Sequence, residues 1–145
     1  MYKALDAPLA VHLEINTGCN QRCLHCYNFW RGDEPNLDMR LSEKLALRIV
    51  DQLADNRVFH IILTGGEPLI NKEVLLFVMN EFLKRSITFS LNSNLALLTE
   101  KSAKELKAAG LNTVLTSLLS CDAATHDSLS NTRGSFDRVV RGIRL

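Results

Sequence analysis

Apolar and polar positions fall along the chain in blocks that alternate between strand-like runs and helical stripes. Leu9 to Asn16 is a short extended run that Thr17-Gly18 breaks, and Ser42 is placed to cap a helix whose Leu45, Ile49 and Leu53 share one face and which ends near Asn56. Val58 to Leu63 is almost wholly apolar, as expected of a strand covered on both faces, and Thr64-Gly65-Gly66-Glu67-Pro68 terminates it. Leu75, Val78, Met79 and Phe82 give the next helix a buried stripe, and Ile87 to Leu91 reads as a strand ending in Asn92-Ser93-Asn94. Thr99 is placed to cap a third helix that stops at Gly110, and Leu111 to Leu119 is the fourth strand. After a polar segment, Ser135 begins a helix through Phe136, Val139, Val140 and Ile143.

Strand and helix therefore alternate four times with no hairpin signal, which predicts an α/β fold with right-handed crossovers and a parallel sheet. Ligands gather at the carboxyl ends of the strands in such sheets, and each polar motif falls there. The 145 residues, 46% of them hydrophobic, suffice for one core and so predict a single domain over 1–145, without repeats or a linker. A net charge of +1 gives no argument for a nucleic-acid or acidic-membrane partner. No apolar run reaches the roughly 18 residues that span a bilayer, and Met1 to Ala10 lacks the pattern of an export leader. The crowding of three of the four cysteines argues against disulfides and for a reducing, cytoplasmic setting.

Those three, Cys19, Cys23 and Cys26, lie in Gly-Cys-Asn-Gln-Arg-Cys-Leu-His-Cys-Tyr, in the loop after the first strand. Thiolate sulfur is a soft ligand for iron-sulfur clusters, zinc or copper, and three so close face one centre only if the backbone curls around it, which Gly18 and Asn20 suit. Zinc wants a fourth protein ligand nearby, and the side chain of His25, beside Cys26, is expected to point elsewhere, so an iron-sulfur cluster fits better. The same spacings would set three small buried side chains on one helix face, a reading that Gly18, Asn20 and the preceding strand oppose. Gly65-Gly66-Glu67-Pro68 taken alone is a strand-to-helix turn in which Pro68 starts the helix. Cys121 reads as a small buried side chain, His12 and His60 as histidines of the sheet, and His126 as a cap of its own loop.

The cysteine triplet followed by Tyr27 resembles the signature of the radical S-adenosylmethionine (radical SAM) superfamily, and Gly65-Gly66-Glu67-Pro68 looks like its second hallmark, in the family's order. Ser93-Asn94 with Leu97-Leu98-Thr99 is similar to the family's Thr-Asn-Gly stretch. Thr125-His126-Asp127 through Arg133-Gly134-Ser135-Phe136-Asp137 looks like the subgroup whose full-length members carry a C-terminal SPASM or twitch extension, so the likeness spans about residues 9–145. It implies an incomplete parallel (β/α) partial barrel and a 4Fe-4S cluster held by Cys19, Cys23 and Cys26, with one iron left to the amino and carboxylate groups of S-adenosylmethionine (SAM). By the same resemblance Gly65 and Gly66 let the backbone approach the methionine moiety and Glu67 accepts from its ammonium. Asn94 and Ser117 would bond the ribose and the carboxylate, where they otherwise read as turn and strand-end polar groups; Tyr27 would lie beside the adenine or be a half-buried aromatic near the cluster mouth; and Arg133 would pair with a carboxylate of SAM or substrate or stand solvated in a polar loop. The activity implied is reductive cleavage of SAM to a 5′-deoxyadenosyl radical that takes hydrogen from a substrate, in this subgroup a peptide or protein, with electrons from a reductase or flavodoxin-type donor.

The sequence departs from the family in three places. Four strand-helix units stand where complete domains resemble six, so the core reads as C-terminally truncated, and the fourth strand is expected to present an apolar edge that invites self-association. Leu95 occupies the position of the family's glycine, and Leu119 that of an aspartate on the fourth strand. Two other classes compete: an electron-transfer protein in which Cys121 closes the cluster, which has no need of Gly65-Gly66-Glu67-Pro68, and an inactive fragment that binds SAM or a partner.

Overall fold

The computed structural model describes residues 5–28 and 39–145; the Arg31 to Asn36 stretch lies outside them. Strands β1 (Ala10–Glu14), β2 (His60–Thr64), β3 (Thr88–Asn92) and β4 (Val114–Leu115) form one parallel sheet in the order β1-β2-β3-β4. Helices α1 (Glu43–Asp55), α2 (Lys72–Lys84) and α3 (Glu100–Ala108) precede β2, β3 and β4 in turn, and α4 (Ala123–Leu129) and α5 (Ser135–Arg144) follow the sheet. Among the described residues no helix is long and apolar enough to cross a membrane.

Strand neighbours in space are neighbours in sequence, so the crossovers all advance in one direction and the helices collect on one side of the sheet. Register aligns Val11 with Ile61 and Phe89, and Leu13 with Leu63 and Leu91, in rows that face one core shared with Ala46 and Val50 of α1, Val78 and Phe82 of α2, and Leu106 of α3. The alternate positions put His12, Glu14, His60, Ser90 and Asn92 on the other face. Among the described residues that face carries no helix of this core, and His12 and Glu14 are exposed. The expectation of a sheet covered on both faces is thereby corrected: β2 is apolar, but its neighbours supply a polar second face. His60 is satisfied within the sheet, Nδ1 lying 3.0 Å from Thr88 Oγ1 and Nε2 3.0 Å from Ser90 Oγ.

Local chemistry sets the helix ends. Ser42 accepts from the Leu45 amide at 3.3 Å, Thr99 and Ser102 cap α3 reciprocally, and Gly110 follows with φ of +86°. On α1 the buried stripe is Ala46 and Val50, with Ile49 and Leu53 beside them; Leu45, expected in the core, is exposed because the helix is turned one position toward Ala46. On α2 Leu75, Val78, Met79 and Phe82 are all fully buried as expected. The fourth strand is shorter than the predicted Leu111 to Leu119. Leu111 packs into the core, and only Leu91 and Asn92 at the end of β3 offer a ladder to Val114 and Leu115, both exposed. Cys121, expected to be buried, is exposed in the segment that leaves the sheet.

The polar segment before Ser135 contains α4, which has no apolar stripe to announce it and is started by Asp122, whose carboxylate accepts from the Thr125 amide at 2.8 Å. Gly134 precedes α5 with φ of +72° and has no capping side chain, so Asp127 of α4 takes that role. Its carboxylate accepts from the amides of Gly134 at 2.5 Å and Phe136 at 2.9 Å and from Ser135 Oγ at 3.1 Å. The Phe136 amide above all, with the Gly134 amide and Ser135, holds the Asp127 carboxyl below the usual carboxylate range. A depressed folded-state pKa contributes stability above the unfolded pKa and loses it as pH falls through the folded value. Asp127→Asn is therefore expected to be less stable than the parent at neutral pH, with the gap between their denaturation midpoints closing on acidification below pH about 4. A pH-independent gap would contradict this.

Candidate functional site

The ladder between β1 and β2 does not stop at the strand ends. Ile15 N donates to Thr64 O at 2.8 Å, Gly66 N to Asn16 O at 2.7 Å and Glu67 N to Gly18 O at 2.8 Å, so the root of the cysteine loop is zipped to the Gly-Gly-Glu loop through main-chain bonds. Asn16 Nδ2 adds a bond of 2.7 Å to the same Gly18 carbonyl. A Cβ on Gly65 would lie 2.5 Å from Asn16 O, and one on Gly66 would overlap the backbone of Thr17 and Gly18. The two glycines are thus required by the approach of one loop to the other.

Glu67 is 1% exposed and starts the 3-10 turn Pro68–Asn71 that leads into α2. Its Oε1 accepts from Leu69 N at 3.0 Å and Ser93 Oγ at 2.7 Å, and Oε2 from Asn94 N at 2.8 Å. Burial pushes its carboxyl above the usual range, and the three donors pull it back. Three bonds leave room for about one more on a carboxylate with four lone-pair sites. The Asn94 side chain is engaged as well, donating to Asn20 Oδ1 at 2.8 Å with Cys19 Sγ at 3.9 Å. Leu95, in the place of a glycine, adopts the φ of +57° that glycine favours and is buried there.

The cysteine loop hangs from α4. Arg22 N donates to Ser130 O at 3.3 Å, Leu24 N to Leu129 O at 2.9 Å, and Cys26 N closes a turn onto Cys23 O at 3.1 Å. Cys19, Cys23 and Cys26 are half-buried and outside any disulfide. They line one cavity of about 300 Å³ together with Tyr27, Gly65, Gly66, Glu67, Asn94 and Ser117, so these nine residues border the same space. A larger cavity of about 780 Å³ between β3, α3 and the end of α5 holds no cysteine, so volume alone does not mark the site. Arg133, Cys121, His12, His60 and His126 do not line the cysteine cavity; Arg133 is exposed and His126 buried. Tyr27 is largely exposed, and its hydroxyl donates to Glu14 Oε1 at 3.3 Å. Burial and the Glu14 charge raise its phenol pKa.

Leu119, standing where the family has aspartate, lines the cavity, and so does His25, against the expectation that its side chain points elsewhere. Sequence reasoning missed Asn28, buried on the cavity wall, and Asn16, each with a buried Oδ1 that has no hydrogen-bond partner among the described residues. The only signal for either was its place beside a motif. The donor set has the right chemistry for an iron-sulfur cluster, three thiols on a loop that glycines seat against a second loop. The thiols are not preset on a single centre. Among the described residues no three His, Cys, Asp or Glu side chains are gathered as one metal site, and Cys19 Sγ lies 3.8 Å from Asn20 Oδ1 and Cys23 Sγ 3.5 Å from Gln21 Oε1.

Comparison with known proteins accounts for this arrangement. Residues 13–145 match the family model described as the Radical SAM superfamily. The chain belongs to that superfamily. An AdoMet-dependent heme synthase of Methanosarcina barkeri is 29% identical over 145 residues, covering 100% of the radical SAM chain and 41% of the relative. The mycofactocin maturase MftC of Mycobacterium tuberculosis is 28% identical over 142 residues, covering 98% and 35%. Streptococcus suis SuiB bound to S-adenosylmethionine has the same fold, with a TM-score of 0.78 at 21% identity over 94% of the chain and 31% of SuiB. The chain thus spans well under half the length of these relatives, and the four-stranded parallel sheet is the part of the radical SAM partial barrel that it contains.

If the zipper between the two loops shapes the site, Gly66→Ala forces them apart. Chemical denaturation should show a loss of about 1–3 kcal/mol, the usual cost of overpacking. An unchanged midpoint would mean that the loops part without penalty.

Proposed function

We propose that this radical SAM chain is the cluster-binding and SAM-binding part of an enzyme, with Cys19, Cys23 and Cys26 as the three protein ligands of a 4Fe-4S cluster. The observation that carries the reading is the main-chain zipper that puts the cysteine loop and Gly65-Gly66-Glu67 around one cavity at the carboxyl ends of β1 and β2. When bound, the cluster and SAM together supply a one-electron reductive cleavage that yields a 5′-deoxyadenosyl radical.

The chain's own residues bind and orient. In this reading the cavity walls at Gly65 and Gly66 receive the methionine end of SAM, and Glu67 acts in two ways. Its three internal bonds fix the shape of the wall, and its remaining lone pair accepts from the ammonium. In the same reading Asn94 and Ser117, on the wall of that cavity, would bond the ribose and the carboxylate of SAM, and Tyr27, held by Glu14, would lie beside the adenine. Burial of the half-enclosed thiols limits access of water and oxidants. Hydrogen abstraction from a peptide or protein substrate is supported by the likeness of residues 125–137 to the SPASM/twitch subgroup and by the maturase among the relatives. A reductase or flavodoxin-type protein would supply the electrons, and the oxidation-sensitive thiols favour a cytoplasmic setting. Nothing in the charge balance favours a nucleic-acid partner. The electron-carrier reading would need Cys121 at the cluster, and Cys121 is exposed and absent from the cavity wall.

Anaerobic reconstitution with iron and sulfide, followed by SAM and a strong reductant, tests the proposal. The parent chain is expected to form 5′-deoxyadenosine, and Cys23→Ala to lose it along with the cluster absorbance. A cluster that forms without cleavage would favour the inactive-fragment reading, and a full 4Fe-4S cluster in Cys23→Ala would overturn the ligand assignment.

A further inference from the structure

Outside the cavity, the most unusual chemistry in the molecule is a polar knot inside the α4–α5 corner. His126 is 1% exposed, and Ser130 and Ser135 are fully buried. His126 Nδ1 lies 3.0 Å from Ser135 Oγ, and Ser130 Oγ lies 2.6 Å from the same oxygen. The Asp127 carboxylate only accepts, so the Ser135 proton goes to Asp127 Oδ1 at 3.1 Å and His126 Nδ1–H donates to Ser135. The imidazole stands edge-on to Phe136, ring centroids 5.7 Å apart, and its Nε2 has no hydrogen-bond partner among the described residues. Burying three such groups is costly unless they are hydrogen-bonded, and the bonds they make to one another and to Asp127 hold them in one geometry.

What that geometry holds is the backbone between the cysteines. The last carbonyls of a helix have no partner within it. At the end of α4 those of Leu129 and of the capping residue Ser130 accept from Leu24 N and Arg22 N, the two amides flanking Cys23. These two bonds lay residues 22–24 against the helix end, where the chain turns from Cys23 to Cys26. Ser130 is both the residue that receives Arg22 and a member of the knot, and its own amide donates to His126 O at 2.9 Å.

We propose that His126, Ser130 and Ser135 are positioning residues for the cluster ligands: the buried knot fixes the end of α4, and the end of α4 sets the spacing of Cys23 and Cys26. This rests on the cysteines being the ligands. Its first test needs no cluster, so the two ideas fail separately.

Hydrogen exchange on the iron-free full chain compares the parent with His126→Leu and with His126→Asn, which keeps a donor at the position of Nδ1. In His126→Leu the amides of Arg22 and Leu24 are expected to exchange at least about tenfold faster while those of β2 and β3 stay unchanged, and His126→Asn to return them most of the way. After reconstitution, iron loss to a chelator should rise in His126→Leu and recover in His126→Asn. Unchanged protection at Arg22 and Leu24 in folded His126→Leu would overturn the proposal, as would a loss spread evenly over the sheet. If His126→Leu does not fold, Ser130→Ala, which removes the 2.6 Å link, carries the same comparison with the same two outcomes.

Discussion

Two loops that carry the chemistry are fastened to each other by their own backbones, and the remainder of the site depends on that fastening. The bonds from Gly66 N to Asn16 O and from Glu67 N to Gly18 O extend the β1–β2 ladder past the point where side chains would normally push the strands apart. Only glycine fits at positions 65 and 66, because a Cβ there would strike the Asn16–Gly18 backbone. This fixes where Cys19 leaves the sheet, and hence which wall of the cavity faces the cysteine loop.

Glu67 transmits the same constraint to the next strand. A buried carboxylate is costly, and here three donors from two segments, Leu69 on its own turn and Ser93 and Asn94 after β3, offset the cost and lock the ends of β2 and β3 together. Asn94 then reaches Asn20, beside Cys19, so a path of hydrogen bonds runs from Leu69 through Glu67 and Asn94 back to the cysteine loop. The far side of that loop is tied to α4 at Leu129 and Ser130. The loop is thus supported from three directions.

Much of this was legible in the residues, for stated reasons. Val78, Met79 and Phe82 sit at helical spacing and are buried, and Thr99 caps where it stands before a polar first turn. Nine predicted site residues line one cavity because each lies at the carboxyl end of a strand or in the loop after it, whereas Arg133, beyond α4, does not reach it. Other features were hidden. The length of β4 depends on how much of β3 is free to pair with it, which no local pattern records, and α4 has too polar a sequence to show a stripe. Leu45 was misplaced because Ala46 is as acceptable in a core as leucine and packs closer. The place of His126 in a buried knot could not be read at all, since its partners Ser130 and Ser135 are of a type equally common in turns.

The central claim is that this framework presents three thiolates, and no fourth protein ligand, to one cluster. Mössbauer spectroscopy of the chain reconstituted with iron-57 measures that directly. The account predicts three similar iron sites and one distinct site whose parameters shift when SAM is added. Four equivalent sites that ignore SAM would contradict it.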